Sequence, residues 1–189
     1  MANKVKFGLS SVYVAPITYG SGNAITYGTP FAIPGAVNLT LDAAGDNADF
    51  YADNTKYFSV YANQGYTGSL EMALLNEKFR TDILGEVKDS NGALVESSSA
   101  TVKDFALGFQ IDGDTANRRF WYYQVSAQRP SAGSQTIETT KEPVTESFDI
   151  TAAARVSDGK VRVMMEKSSS NTTAYNNFFN AVYESVTSA

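Results

Sequence analysis

Phe105-Ala-Leu-Gly-Phe-Gln-Ile-Asp112 decides the fold class. Its apolar side chains Phe105, Leu107, Phe109 and Ile111 fall on every second residue, with Ala106, Gly108, Gln110 and Asp112 between them. Successive side chains of a strand point to opposite faces, so this spacing predicts a strand with one face in a core. Val37, Leu39 and Leu41 repeat the pattern against Asn38, Thr40 and Asp42. So do Leu70, Met72 and Leu74, then Phe148, Ile150 and Ala152, then Val161, Val163 and Met165. Aromatic and β-branched residues are dense over 57–63 and 119–127, which predicts two more strands.

Between these segments lie the signals that punctuate them. Asn91-Gly92 and Asp158-Gly159 tolerate the positive φ of tight hairpin turns, and the second is expected to join a strand ending near Arg155 to one beginning near Lys160. A helix is predicted over 77–84, capped by Asn76, with Phe79 and Ile83 four apart and Gly85 closing it. A second is predicted over 172–185, where Tyr175, Phe178, Phe179, Val182 and Val186 fall on one helical face. Segments 20–34, 43–56 and 130–143 read as loops rich in Gly, Pro, Ser and Asp. The expectation is a single mainly β domain over 1–189, a β-sandwich or barrel. It carries one short internal helix, a C-terminal amphipathic helix, an N-terminal arm of residues 1–10 and a long loop over 43–56.

Composition narrows the function classes. Of 189 residues 43% are apolar and 12% aromatic, enough to build a core rather than a disordered chain. Fifteen basic against twenty acidic residues leave a net charge of -5, which argues against gripping nucleic acid by phosphate neutralisation. Cysteine and histidine are both absent. That excludes disulfides, thiolate metal sites and thiol nucleophiles, and removes the commonest general base near neutral pH. An enzyme is not expected, nor a cofactor or a metal. The first residues carry Lys4 and Lys6 without an apolar stretch behind them, and no apolar run reaches membrane-spanning length, so neither a secretory signal nor a membrane association is expected.

Each remaining chemical motif has a plainer explanation. Asp42, Asp46, Asp49 and Asp53 recur every three or four residues, but without the glycine and ligand positions of a calcium loop they read as a solvated acidic segment. Glu71, Glu146 and Asp149 contain the carboxylates of a glycosidase pair, yet carboxylates on strands are expected in any β protein. Phe120-Trp-Tyr-Tyr123 beside Arg118 and Arg119 could stack bases, but packing of the two faces of a strand is the favoured reading in so acidic a chain. Gly20-Ser-Gly22 lacks the spacing and lysine of a phosphate loop.

A longer series of words carries a resemblance. Lys4-Val-Lys-Phe-Gly-Leu-Ser-Ser-Val-Tyr-Val-Ala-Pro16, Tyr27-Gly-Thr-Pro30, Pro34-Gly-Ala-Val-Asn-Leu-Thr-Leu-Asp42 and Phe50-Tyr-Ala-Asp53 come first. Gly65-Tyr-Thr-Gly-Ser-Leu-Glu71, Phe79-Arg-Thr-Asp-Ile-Leu-Gly85, Phe105-Ala-Leu-Gly-Phe109, Arg129-Pro130 and Ala174-Tyr-Asn-Asn-Phe-Phe179 follow. In that order they resemble the major tail (tail-tube) protein family of siphophages infecting Gram-positive bacteria. None of these words is specific alone; their order across nearly the whole chain carries the likeness.

The resemblance implies a structural virion protein, not an enzyme, of tail-tube β-sandwich type. Its subunits would form homo-hexameric rings that stack into the tail tube, the conduit for genome delivery. It implies a tape measure protein, a tail terminator and a distal tail protein as partners, and DNA that passes through without specific binding. The expected location is the virion tail, with assembly in the host cytoplasm. Glu71 and Asp42 are then candidates for the lumen, and Asp46, Asp49, Phe50, Tyr51 and Asp53 for a ring-stacking loop. An alternative of another class is a carbohydrate-binding or adhesion β-sandwich module, with Trp121 and Tyr123 lining a groove. A secretion-system tube protein is a third possibility.

Overall fold

The computed structural model describes residues 7–113, 116–134, 136 and 143–186. Thirteen strands and two short α-helices are found there: β1 (Leu9–Tyr19), β2 (Ile25–Tyr27), β3 (Phe31–Ala32), β4 (Ala36–Ala44), β5 (Asn47–Ala52), β6 (Thr55–Tyr61), β7 (Gly65–Met72), α1 (Glu77–Asp82), β8 (Val87–Lys88), β9 (Leu94–Val95), β10 (Phe105–Ile111), β11 (Arg119–Ala127), β12 (Glu146–Ala153), β13 (Arg162–Met165) and α2 (Thr172–Asn176). Nine strands form one antiparallel sheet in the order β2-β1-β10-β11-β12-β7-β4, with β13 also paired to β11 and β3 to β1. The chain is mainly β, as the period-two segments require.

The sheet curls on itself. β1 and β4 approach each other without sharing a ladder, and residues of β1, β7, β10, β11 and β12 meet in one apolar cluster. Val14, Leu70, Phe105 and Leu107 are among its fully buried members, and Phe79 of α1 plugs it, 5.7 Å from Phe105 and 5.5 Å from Phe148 between ring centroids. The cap read from the sequence is present: the Asn76 side chain accepts from the Phe79 N–H, and Gly85 takes φ +75 just beyond the helix. Arg80 ties α1 to the sheet by donating to Glu146 at 2.7 Å, while the other Glu146 oxygen accepts from the Leu75 N–H at 2.9 Å.

A second cluster lies on the opposite face of β1, β10 and β11. Ala15, Ala106, Trp121 and Tyr123 are covered there by Phe178, Phe179 and Val182. Trp121 donates its indole N–H to the Phe178 carbonyl, Tyr123 its hydroxyl to the Tyr183 carbonyl, and Arg119 its guanidinium to the Tyr175 carbonyl. Gly108 sits opposite Trp121, and a β-carbon added there would come within 2.9 Å of the indole ring. The consecutive aromatics at 120–123 therefore serve two cores, Phe120 and Tyr122 in the first, Trp121 and Tyr123 in the second.

Several expectations are corrected. The helix expected over 172–185 stops at Asn176; turns follow, and Val186 is exposed. The segment runs as a strap whose carbonyls are taken by β11 side chains, and that arrangement competes with further helical turns. Asp158-Gly159 does turn the chain, with Arg155 and Lys160 joined by a backbone hydrogen bond of 3.0 Å. It does not make a hairpin: β12 and β13 both pair with β11, so 154–161 is an excursion from one edge. Asn91-Gly92 does lie in the turn between the paired β8 and β9. Segment 20–34 holds β2 and β3, and 43–56 is not a loop. Val37 is exposed because a register shift between Ala36 and Asn38 breaks the alternation. Of the arm at 1–10, residues 9 and 10 belong to β1, and 1–6 lie outside the described residues. So does much of the 130–143 segment.

Phe79→Ala is expected to remove about 3–5 kcal/mol of stability, read as a lower midpoint in guanidinium denaturation at unchanged slope.

Candidate functional site

Residues 43–56, expected to be a loop, enter a two-stranded hairpin separate from the main sheet. β5 and β6 pair antiparallel, Ala52 against Thr55, across a turn in which Asp53 and Asn54 take φ +50 and +61. Two positive φ values in a two-residue connection make a type I′ turn, which matches the right-handed twist of paired strands, and Asp and Asn bear that conformation at low cost. One face is polar and locked: the Asp49 carboxylate receives Lys56 at 2.7 Å and the Ser59 hydroxyl at 2.7 Å. The lysine, then the hydroxyl, hold that carboxyl below its ordinary range. The other face carries Phe50 opposite Phe58 and Ala48 opposite Val60. Phe50, Tyr51, Tyr57, Phe58 and Tyr61 are each 58–75% exposed. Exposed aromatic side chains concentrated on one hairpin of a single chain mark a candidate interaction site.

The second surface is the outer face of β4, β7 and β12. Register sets Asn38 beside Glu71 and Ser147, Thr40 beside Ser69 and Asp149, and Asp42 beside Thr67 and Thr151. Asp42 and Glu71, the two lumen candidates, thus share one face, joined by Asp149, and none of the nine positions is basic. Glu71 is half-buried and accepts from the Thr145 hydroxyl at 2.5 Å; Asp42 and Asp149 are exposed. β4 borders this face and pairs only with β7, leaving one edge of nine residues, free of proline and of basic side chains, without a strand partner among the described residues.

A third surface is a groove of about 530 Å³ at the mouth of the curled sheet. Leu39 and Leu41, Phe109, and Phe120 and Tyr122 wall it, from β4, β10 and β11. The Arg162 guanidinium lies 5.2 Å from the ring centre of Tyr66, 5.9 Å from that of Phe120 and 6.0 Å from that of Tyr122, a cation against three aromatic faces. Burial pushes the Tyr122 phenol up, and Arg162 opposes the shift. Sequence reasoning missed this groove because its walls come from strands far apart in the chain; no local pattern could show it.

Other candidates have structural partners. Glu146 is held by Arg80 and the Leu75 amide, whereas Glu71 and Asp149 lie on the outer face. Asp49 is neutralised by Lys56, and among the described residues no group of three or more acidic side chains is placed to hold a metal ion. Arg118 pairs with Glu166 at 2.6 Å, and Arg119 faces the rings of Tyr175 and Phe179. Trp121 and Tyr123 are buried beneath the C-terminal strap and line no open groove. Among the described residues no helix is long and apolar enough to cross a membrane. Comparison of the chain with protein-family models and with curated proteins finds no match to either.

The strap is fastened at its far end by Arg155, which is 6% exposed. Its guanidinium grips Asp158 at 2.6 and 3.0 Å, reaches both Glu184 oxygens and donates to the Tyr27 hydroxyl at 3.1 Å. The Asp158 carboxyl is pulled down to about 2, chiefly by the Arg155 hydrogen bonds, so its ionised form stabilises the fold above the unfolded value near 4. That contribution is lost as pH falls from about 4 through about 2. Asp158→Asn is expected to lower the denaturation midpoint at neutral pH and to flatten its fall over that window; an unchanged pH profile would count against the clamp.

Proposed function

We propose that this chain is a tail-tube subunit of a siphophage, a structural protein that associates with copies of itself into stacked, ring-shaped assemblies through which the genome passes. The observation that carries the reading is the β5–β6 hairpin, whose large apolar side chains face solvent on an isolated chain. A chain without cysteine or histidine offers little chemistry to set against this; what it offers is surface.

Two further features support the reading. The free edge of β4 carries backbone donors and acceptors that a strand of a neighbouring copy would satisfy, and a closed ring leaves no such edge over. Beside that edge lies the acidic face of Asp42, Glu71 and Asp149. Duplex DNA carries one negative charge per about 1.7 Å, so a conduit lined by carboxylates and hydroxyls lets it slide without gripping it. Asp46, Asp49, Phe50, Tyr51 and Asp53 all fall in or beside the hairpin, which gives the ring-stacking role assigned to them a defined element. The resemblance in word order to the major tail protein family points the same way, and brings a tape measure protein, a terminator and a distal tail protein as partners and the virion tail as location. The adhesion alternative is weaker, since its two groove aromatics are buried.

Concentrating the purified full chain while following it by size-exclusion chromatography and negative-stain electron microscopy tests the reading. Hollow rings or tubes are expected; a persistent monomer that binds glycans would overturn it in favour of adhesion. A second expectation concerns charge. Tubes of an Asp42→Lys, Asp149→Lys variant should retain duplex DNA with affinity that falls steeply with salt, while wild-type tubes retain none. Equal behaviour of the two would remove the acidic face from the lumen.

A further inference from the structure

Two unsatisfied surfaces of this chain are complementary. The hairpin offers Phe50 and Phe58 as a cross-strand pair, with the Asp53 carboxylate at the turn. Its one lysine, Lys56, is already paired with Asp49, so the charge left at the tip is negative. The groove offers aliphatic and aromatic walls with a guanidinium on them. Arg80, Arg118, Arg129 and Arg155 each meet a carboxylate, and Arg119 a backbone carbonyl. Arg162 rests on rings and makes no ion pair among the described residues. Asp53 is exposed and likewise makes none among them. A volume of about 530 Å³ is in the range of clefts that hold a small ligand, roughly 300–1,000 Å³.

We propose that the hairpin of one copy lies along the groove of a second copy, Phe50 and Phe58 against the walls formed by Leu39, Leu41 and Tyr66, and the Asp53 carboxylate on the Arg162 guanidinium. This rests on the self-assembly reading above and names the receptor that reading lacks. Charge selects the occupant: an acidic, aromatic tip fits a groove whose cation makes no ion pair of its own among the described residues, and both belong to the same chain. Shielding by apolar neighbours strengthens the ion pair relative to one in water. Knob and hole are different patches, so the contact passes from copy to copy: it closes as a reciprocal dimer or a larger ring, or propagates as a filament. The hairpin's fixed I′ turn and the Asp49–Lys56–Ser59 lock mean that little conformational entropy is lost when it docks.

The test uses the full chain. With a benzophenone amino acid in place of Phe58, irradiation at assembling concentration is expected to link the probe to groove residues of another copy, located by mass spectrometry. Asp53→Arg and Arg162→Asp should each raise the concentration needed for assembly about tenfold or more, and the two together should restore it to within about threefold. Near-ultraviolet circular dichroism of the buried Trp121 checks that each variant is folded. Rings or tubes whose cross-links map elsewhere, with the charge swap giving no rescue, would overturn the contact and leave the tube reading standing. Cross-links in the groove from particles that never exceed a closed dimer would uphold the contact and sink the tube. Neither cross-link nor assembly at any concentration would overturn both.

Discussion

Strand β11 is the member on which the rest depends, because both of its faces and both of its edges are occupied. Phe120 and Tyr122 enter the main core; Trp121 and Tyr123 enter the core beneath the strap. β10 lies along one edge, and β12 and then β13 share the other. A strand buried on both faces reads as a continuous apolar run rather than an alternation, and Phe120-Trp-Tyr-Tyr123 is such a run. Because its outward side chains also hold the strap by its carbonyls, loss of β11 would dissolve two cores at once.

That dual burial explains which parts of the fold were legible in the sequence. Strands with one wet face, such as Leu70-Glu-Met72 and Phe148-Asp-Ile150, announced themselves by period two, and α1 by its cap and its terminal glycine. The C-terminal segment misled because apolar residues that contact a sheet at irregular intervals can mimic helical spacing: Tyr175, Phe178, Phe179 and Val182 do all turn inward, but from a strap. The hairpin at 47–61 was half hidden because its first strand, Asn47-Ala-Asp-Phe-Tyr-Ala52, has no core face to impose alternation. Its type I′ turn uses Asp-Asn, a pair less conspicuous than Asn-Gly. The groove had no local signature at all, being made by curvature of the sheet.

Register is not legible in the sequence, yet the antiparallel pairing of β4 with β7 puts the carboxylates of Asp42 and Glu71 on one face. Alternation alone guarantees this much: once Leu39, Leu41, Leu70 and Met72 point inward, the residues between them point out. What alternation could not supply is the third strand, β12, which adds Asp149 and widens the acidic surface, or the open edge of β4 beside it.

An exposed apolar hairpin and an open strand edge are liabilities on an isolated chain, since each invites indiscriminate pairing. Net charge of -5 offsets the danger, because like-charged copies repel at long range and meet productively only where an opposite charge is offered. Arg162 offers one, in an open groove that sets its cation beside the apolar side chains of Leu39 and Leu41. On the proposed reading, one negative balance therefore serves two ends: it keeps the edge and hairpin from random association before assembly, and it lines the finished channel with charge that DNA does not hold to.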